Sequence, residues 1–232
     1  MKIILSAFGS VAVQVSGDDV APERGLLQRD LVQFVGNLYD FAVRPVIPPN
    51  VSPQMFPVLT FQQGRFVNEG GTFAIQALVI LQNGDIVSAA NTDIAEMIMD
   101  DYITKLETNL DYRYHGKPQN RYYSSAIVVE FEQSIGERIA GLQEISRILT
   151  REMPQPSGHL ALRALDFGQA DPVTNITSPQ DVGRIGFRIE RRLGEPFERH
   201  RFFCNAATKT SDHIRILEMV EATLGNQSRL SK

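Results

Sequence analysis

The spacing of apolar residues along the chain changes between two periods, and the changes mark the elements. From residue 73 to 82 both phases of a period-two pattern are apolar. Phe73, Ile75, Ala77, Val79 and Leu81 fall in one phase, Leu78 and Ile80 in the other. This predicts a central strand covered on both faces. Asn83-Gly84 follows, a pair that tolerates positive φ and predicts a two-residue hairpin turn before a return strand over residues 86–90. Asn91, Thr92 and Asp93 can all cap a helix, and Asp93 has capping-box spacing to Glu96. The spacing then becomes helical, with a stripe at Ile94, Ile98, Tyr102, Leu106 and Leu110.

The same order of parts recurs over residues 184–224. A strand over residues 184–192 sets Ile185, Phe187 and Ile189 against Arg184, Arg188, Glu190 and Arg192, so one face is dry and one is wet. A turn at Gly194 leads to a return strand over residues 200–205. A capped helix from about Thr210 has its stripe at Ile214, Leu217, Val220 and Leu224, with Gly225 as its expected end.

The remaining stretches complete two similar series. Residues 3–15 read as a strand and 23–42 as a helix with apolar positions at Leu27, Leu31, Phe34, Leu38 and Phe41. Pro45, Pro48, Pro49, Pro53 and Pro57 make a stiff connection to a strand over residues 58–66. Residues 124–131 read as a strand, residues 134–152 as a helix with its stripe at Ile135, Ile139, Leu142, Ile145 and Leu149, and residues 160–167 as a strand. Each half therefore reads strand, helix, strand, strand, strand, helix. The expected fold is α+β: two pseudo-repeated βαβββα halves over residues 1–110 and 124–225, mostly antiparallel sheet with helices packed on it. A tyrosine-rich junction over residues 111–123 would join them, and residues 226–232 would form a loose tail. Leu31, Phe34, Ile75, Val79, Ile98, Leu142, Ile189 and Leu217 are the expected core.

Composition narrows the function classes. A chain of 232 residues with 43% hydrophobic and 22% charged residues can bury a substantial core. A net charge of −4 argues against bulk nucleic-acid binding, though not against a local basic patch. Cys204, the single cysteine, cannot form an internal disulfide, which fits a reducing, cytoplasmic setting. No apolar run reaches the roughly 20 residues of a membrane-spanning helix.

Chemical motifs are scarce. There is no phosphate-binding glycine loop, nucleophile elbow or zinc-ligand pairing, and the four histidines share no metal-ligand spacing. Neither a catalytic constellation nor a cofactor is expected. Two clusters remain as candidate binding surfaces. Arg184, Arg188, Arg192, Arg199 and Arg201 crowd the second hairpin, where guanidinium forks suit phosphates or carboxylates; the alternative is a solvated sheet face with cross-strand ion pairs. Tyr112, Tyr114, Arg121 and Tyr122 interleave rings with cations, as base-stacking or protein-anchoring surfaces do; the alternative is tyrosines packed over a joint. The expected function is non-enzymatic interaction or assembly through an oligomer or a protein partner. A small enzyme or nucleic-acid accessory protein holding a phosphate-bearing ligand on the arginine hairpin is the alternative.

Overall fold

The structure, a computed structural model, describes residues 1–22, 28–47, 58–117, 119–132, 135, 139, 142–152, 162–168, 176–192 and 194–230. Its described residues form eight strands in one sheet and six α-helices. The strands are β1 (Lys2–Gln14), β2 (Leu59–Asn68), β3 (Gly71–Leu81), β4 (Gly84–Ala89), β5 (Asn120–Glu130), β6 (Ala164–Phe167), β7 (Phe187–Arg191) and β8 (Arg201–Ala206). The helices are α1 (Gly17–Val20), α2 (Gln28–Leu38), α3 (Thr92–Leu110), α4 (Leu142–Glu152), α5 (Pro179–Val182) and α6 (Thr210–Leu230). The sheet order is β2-β3-β4-β1-β5-β8-β7-β6, and every neighbouring pair is antiparallel. The α+β class and the antiparallel sheet stand as the apolar pattern predicts.

The two long strands β1 and β5 pair along the middle of the sheet, with Gly9 opposite Ser125. Alternation then sends Val11 and Val13 of β1 and Ile127 and Val129 of β5 to one face, where two apolar clusters form. One gathers α2 and α3 residues such as Leu31, Val35, Ile98 and Tyr102; the other gathers Ile135 and Leu217. The opposite face carries a smaller cluster of Ala12, Leu81 and Ile86, closed by Val182 of α5.

Several element boundaries differ from the sequence pattern, each for a local reason. The β3–β4 turn is centred on Gln82-Asn83, because Leu81 already pairs with Gly84. Gly84 instead allows strand contact. A Cβ there would lie 2.0 Å from the Val13 carbonyl oxygen, and its φ is +139°. A register shift between Ile75 and Ala77 inserts a bulge in β3. Beyond it the phase reverses, so Leu78 and Ile80 join Ile75 in the main core while Val79 turns to the smaller cluster.

Helix α2 stops at Leu38, short of residue 42, and Asp40 takes a left-handed φ of 49°. The reversal brings Phe41 back against Phe61, with ring centroids 5.2 Å apart. The front of that helix and the connection over residues 48–57 lie outside the described residues. Phe34 and Leu142 are half-buried, and Ile145 and Leu149 are exposed, against the expected stripes. Ile139 sits in a bend, so the described helix begins at Leu142. Helix α6 runs past Gly225 to Leu230, so that glycine does not end it.

The start of α3 meets the start of α6 beneath the centre of the sheet. Asn91 caps α3, its side chain accepting from the Ile94 N–H at 2.9 Å. The Thr92 N–H donates to the Thr210 hydroxyl at 3.0 Å, and the Thr210 N–H donates to the Thr92 hydroxyl at 2.8 Å. Each threonine thus satisfies a free N–H of the other helix. Gly9 makes room above this junction, since a Cβ on it would come within 2.2 Å of the Thr92 nitrogen. Thr92→Val removes an acceptor from a buried donor and is expected to lower the unfolding free energy by about 1–3 kcal/mol. Urea unfolding reads this directly. With Thr210→Val added, the loss should be smaller than the sum, because the two side chains share their bonds.

Candidate functional site

A cavity of about 500 Å³ opens at the end of the β3–β4 hairpin. Its walls follow from the chain path. After β1, the Val15 N–H donates to the Asn83 carbonyl at 3.1 Å and the Gly17 N–H to the Gln82 carbonyl at 3.0 Å, so α1 is tied to the hairpin turn. On the far side, Asp111 ends α3 in a left-handed conformation (φ 58°) and turns the chain back. Arg113 then holds α1 from that side: its N–H donates to the Val20 carbonyl at 2.9 Å and its guanidinium to the Ala21 carbonyl at 3.0 Å. The hairpin, α1 and the segment after α3 enclose the space, lined by Val15, Val20, Ile80 and three tyrosines.

Asp85 lines the same cavity and is 2% exposed. It shares the core-facing phase of β4 with Val87 and Ala89, a position normally held by an apolar residue. The Tyr114 hydroxyl donates to Asp85 Oδ2 at 2.6 Å. Burial pushes the Asp85 carboxyl up to about 7, and the Tyr114 hydrogen bond only partly opposes it. Tyr114 is itself buried, and its ring stacks on Tyr112 with centroids 5.9 Å apart. Burial and the nearby Asp85 raise Tyr102 and Tyr114 well above the usual phenol range and take Tyr112 up to about 12. All three rings therefore stay neutral hydrogen-bonding groups. Asp18, exposed on α1, is a second carboxylate on the lining.

Of the tyrosine-rich candidates, Tyr112 and Tyr114 meet in this cavity and the others do not. Arg121 and Tyr122 belong to β5 rather than to a junction. The Arg121 guanidinium reaches Asp100 at 2.6 Å and Glu96 at 3.5 Å. The Tyr122 hydroxyl donates to Gln14 on the opposite face of the sheet. Glu96 is the centre of a separate ion network with Arg121, Tyr123 and Lys209, which holds it below the usual carboxylate range despite its partial burial. The expected Asp93–Glu96 capping box does not form, because Asn91 rather than Asp93 is the N-cap of α3.

The arginine hairpin is laced with carboxylates. Arg188 reaches Asp166 at 3.3 Å and Glu190 at 3.1 Å. Arg201 reaches Glu130 at 2.8 Å and Glu195 at 3.2 Å, and Arg192 and Arg199 also converge on Glu195. Arg184 is exposed and lies ahead of the start of β7. An anion reaching the guanidinium of Arg188 or Arg201 would compete with these carboxylates. Arg191, in the same phase of the strand as Phe187 and Ile189, is buried with its guanidinium 5.3 Å from the Phe202 ring centroid.

A further polar pair sits in the second cluster. Ser125 Oγ and His213 Nδ1 are 2.7 Å apart, both residues are fully buried, and burial lowers the imidazole to about 4. Both are closed off from solvent, which fits a packing role. Burial likewise lifts the Cys204 thiol to about 12, which leaves it unreactive. The described residues hold no cluster of side chains suited to a metal ion, and no described helix is long and apolar enough to cross a membrane.

Asp85 escaped the sequence reading although a signal was present. Asp85, Val87 and Ala89 alternate with Ile86 and Ser88, which places the carboxylate inward, and the adjacent Gly84 made it look like part of a turn. No model of a known protein family matches the sequence, and no curated protein resembles it significantly.

Proposed function

We propose that the chain is an internally duplicated α+β protein that works by association, with a second copy or a protein partner, rather than by catalysis. The register of the sheet supports the duplication. From the central Gly9–Ser125 pair outward, Gly9 lies beside Ala89, Ile75 and Gly64 in turn. Ser125 lies beside Ala206, Phe187 and Phe167 in the same order. The Thr92–Thr210 exchange sits on the same centre, as a pair related by two-fold symmetry would. In this reading residues 1–110 and 124–225 are the two copies, and they fuse edge to edge through β1 and β5, which removes one open strand edge from each.

The observation that carries association is the apolar side of α4. Ile145, Ile148 and Leu149 are 51%, 41% and 41% exposed, while Glu144, Arg147 and Arg151 occupy the polar side. An amphipathic helix gains stability by burying its apolar side, and here that side faces solvent. The arginine hairpin is a weaker ground for function, because its guanidinium groups already have carboxylate partners. A reducing, cytoplasmic setting belongs to the same reading.

Light scattering on the purified chain tests it. The expected result is a mass above that of the 25.9 kDa monomer, reduced to the monomer by Ile145→Glu combined with Leu149→Glu. Both positions are exposed, so the far-ultraviolet circular dichroism should not change. A wild-type monomer that also retains no partner on a pulldown from lysate would overturn the association reading.

A further inference from the structure

We propose that the cavity between the β3–β4 hairpin, α1 and the segment after α3 binds a small organic cation, a protonated amine on a compact apolar body. Three features of the lining select this chemistry. The first is charge sign: Asp85 lies buried on the wall and Asp18 is exposed, and no lysine, arginine or histidine joins them among the described residues. Among the described lining residues an anionic ligand would meet only like charge. The second is the aromatic surface. Tyr102, Tyr112 and Tyr114 all contribute to the lining, and ring faces attract ammonium groups while Asp85 supplies the counter-charge. The third is the apolar wall of Val15, Val20, Ile80 and Leu81, which suits the body of the ligand rather than its charge. The volume of about 500 Å³ lies in the range of small-molecule sites.

The polar wiring at Asp85 leaves room for such a ligand. Tyr114 engages Oδ2, and Oδ1 accepts no hydrogen bond among the described residues. A ligand N–H can take that free acceptor without breaking the Tyr114 contact. The chemistry also sets a pH dependence. An ammonium needs Asp85 ionised, and the tyrosines facing it, Tyr102 on α3 and Tyr112 and Tyr114 after α3, do not compete. The tyrosines stay neutral, and Asp18 is an exposed carboxylate. Binding should therefore tighten as pH rises through about 7.

Titration calorimetry with benzylammonium, benzyl alcohol and benzoate decides the question. The expected result is saturable binding of benzylammonium to the full chain, with benzyl alcohol at least about tenfold weaker and benzoate not bound. Affinity should rise about thirtyfold between pH 5.5 and 8, and Asp85→Asn should remove both the preference for the amine and this pH dependence. Tyr112→Leu should weaken binding severalfold and leave the pH dependence in place. The chain has no tryptophan, so quenching of tyrosine emission gives a second readout at the site. No saturable benzylammonium binding below about 10 mM would overturn the proposal. Equal affinity for the alcohol, unchanged binding by Asp85→Asn or Tyr112→Leu, or preference for benzoate would do the same. None of these outcomes depends on the oligomeric state, so this test and that of the association reading can fail independently.

Discussion

Asp85→Asn is expected to raise the unfolding free energy at pH 8 by about 2–4 kcal/mol and to change it little near pH 4. Asp85 is 2% exposed, and its carboxyl is held at about 7 against an ordinary value of 3.8. The folded state therefore holds a proton that the unfolded chain releases. The stabilisation from this proton is complete below about pH 4 and is lost as pH rises through 7, up to about 4 kcal/mol at roughly 1.4 kcal/mol per tenfold change in proton affinity. Asparagine keeps an acceptor for the Tyr114 hydroxyl and carries no charge to bury.

His213 acts in the opposite direction. Its folded value of about 4 lies below the usual 6.5, so its contribution is complete above about pH 6.5 and is lost as pH falls through 4. Between about pH 5 and 6 the unfolded chain has lost the Asp85 proton and gained one on His213, and the folded chain has done neither. The two slopes, each about 1.4 kcal/mol per pH unit, cancel. The wild type should therefore be nearly flat in this window. Asp85→Asn should make stability climb with pH, and His213→Gln should make it fall. Urea unfolding at pH 5, 6 and 8 measures all three, and an Asp85→Asn variant less stable than wild type at pH 8 would refute the account.

Leu78→Ala is expected to cost about 2–5 kcal/mol, and Val79→Ala less than about 1.5 kcal/mol. Leu78 is 0% exposed in the main core, whereas Val79 is half-buried beside the smaller cluster on the other face. Simple alternation from Ile75 predicts the reverse ranking, because it puts Val79 on the core side. The comparison therefore tests the bulge at residue 76 as much as the packing. Chemical unfolding of both variants suffices, and equal losses would mean that the phase does not reverse. For the same reason Phe34→Ala should fall below the range for a full core truncation, since Phe34 is only half-buried on α2.

Period and capping residues determined much of this protein by themselves. The strand over residues 3–15, the long β3, the helix from Thr92 and the helix from Thr210 are all legible, because each carries an apolar run or stripe next to a residue that can cap or turn the chain. Buried positions within an unbroken period, such as Leu31, Ile98, Ile189 and Leu217, follow from the same signal. Where the period is broken, only the tertiary structure decided. The bulge in β3 turns Val79 away from the core, and the reversal at Asp40 swings Phe41 under β2; neither leaves a mark that local spacing can report.

The candidate sites divide along the same line. The arginines of the second hairpin stand out by density, but whether a guanidinium is open depends on partners 2 to 71 positions away, such as Glu190 and Glu130. Tyr112 and Tyr114 stand out as a cluster, yet their meeting with Asp85 depends on α3 ending at Asp111 and on Arg113 tying that turn to α1. A sequence records which groups a chain carries and the faces they take within one element. The distance between groups on different elements is set by packing, and so is the water excluded around them. Those two quantities make Asp85 a buried carboxyl on a cavity wall rather than one more acid beside a turn.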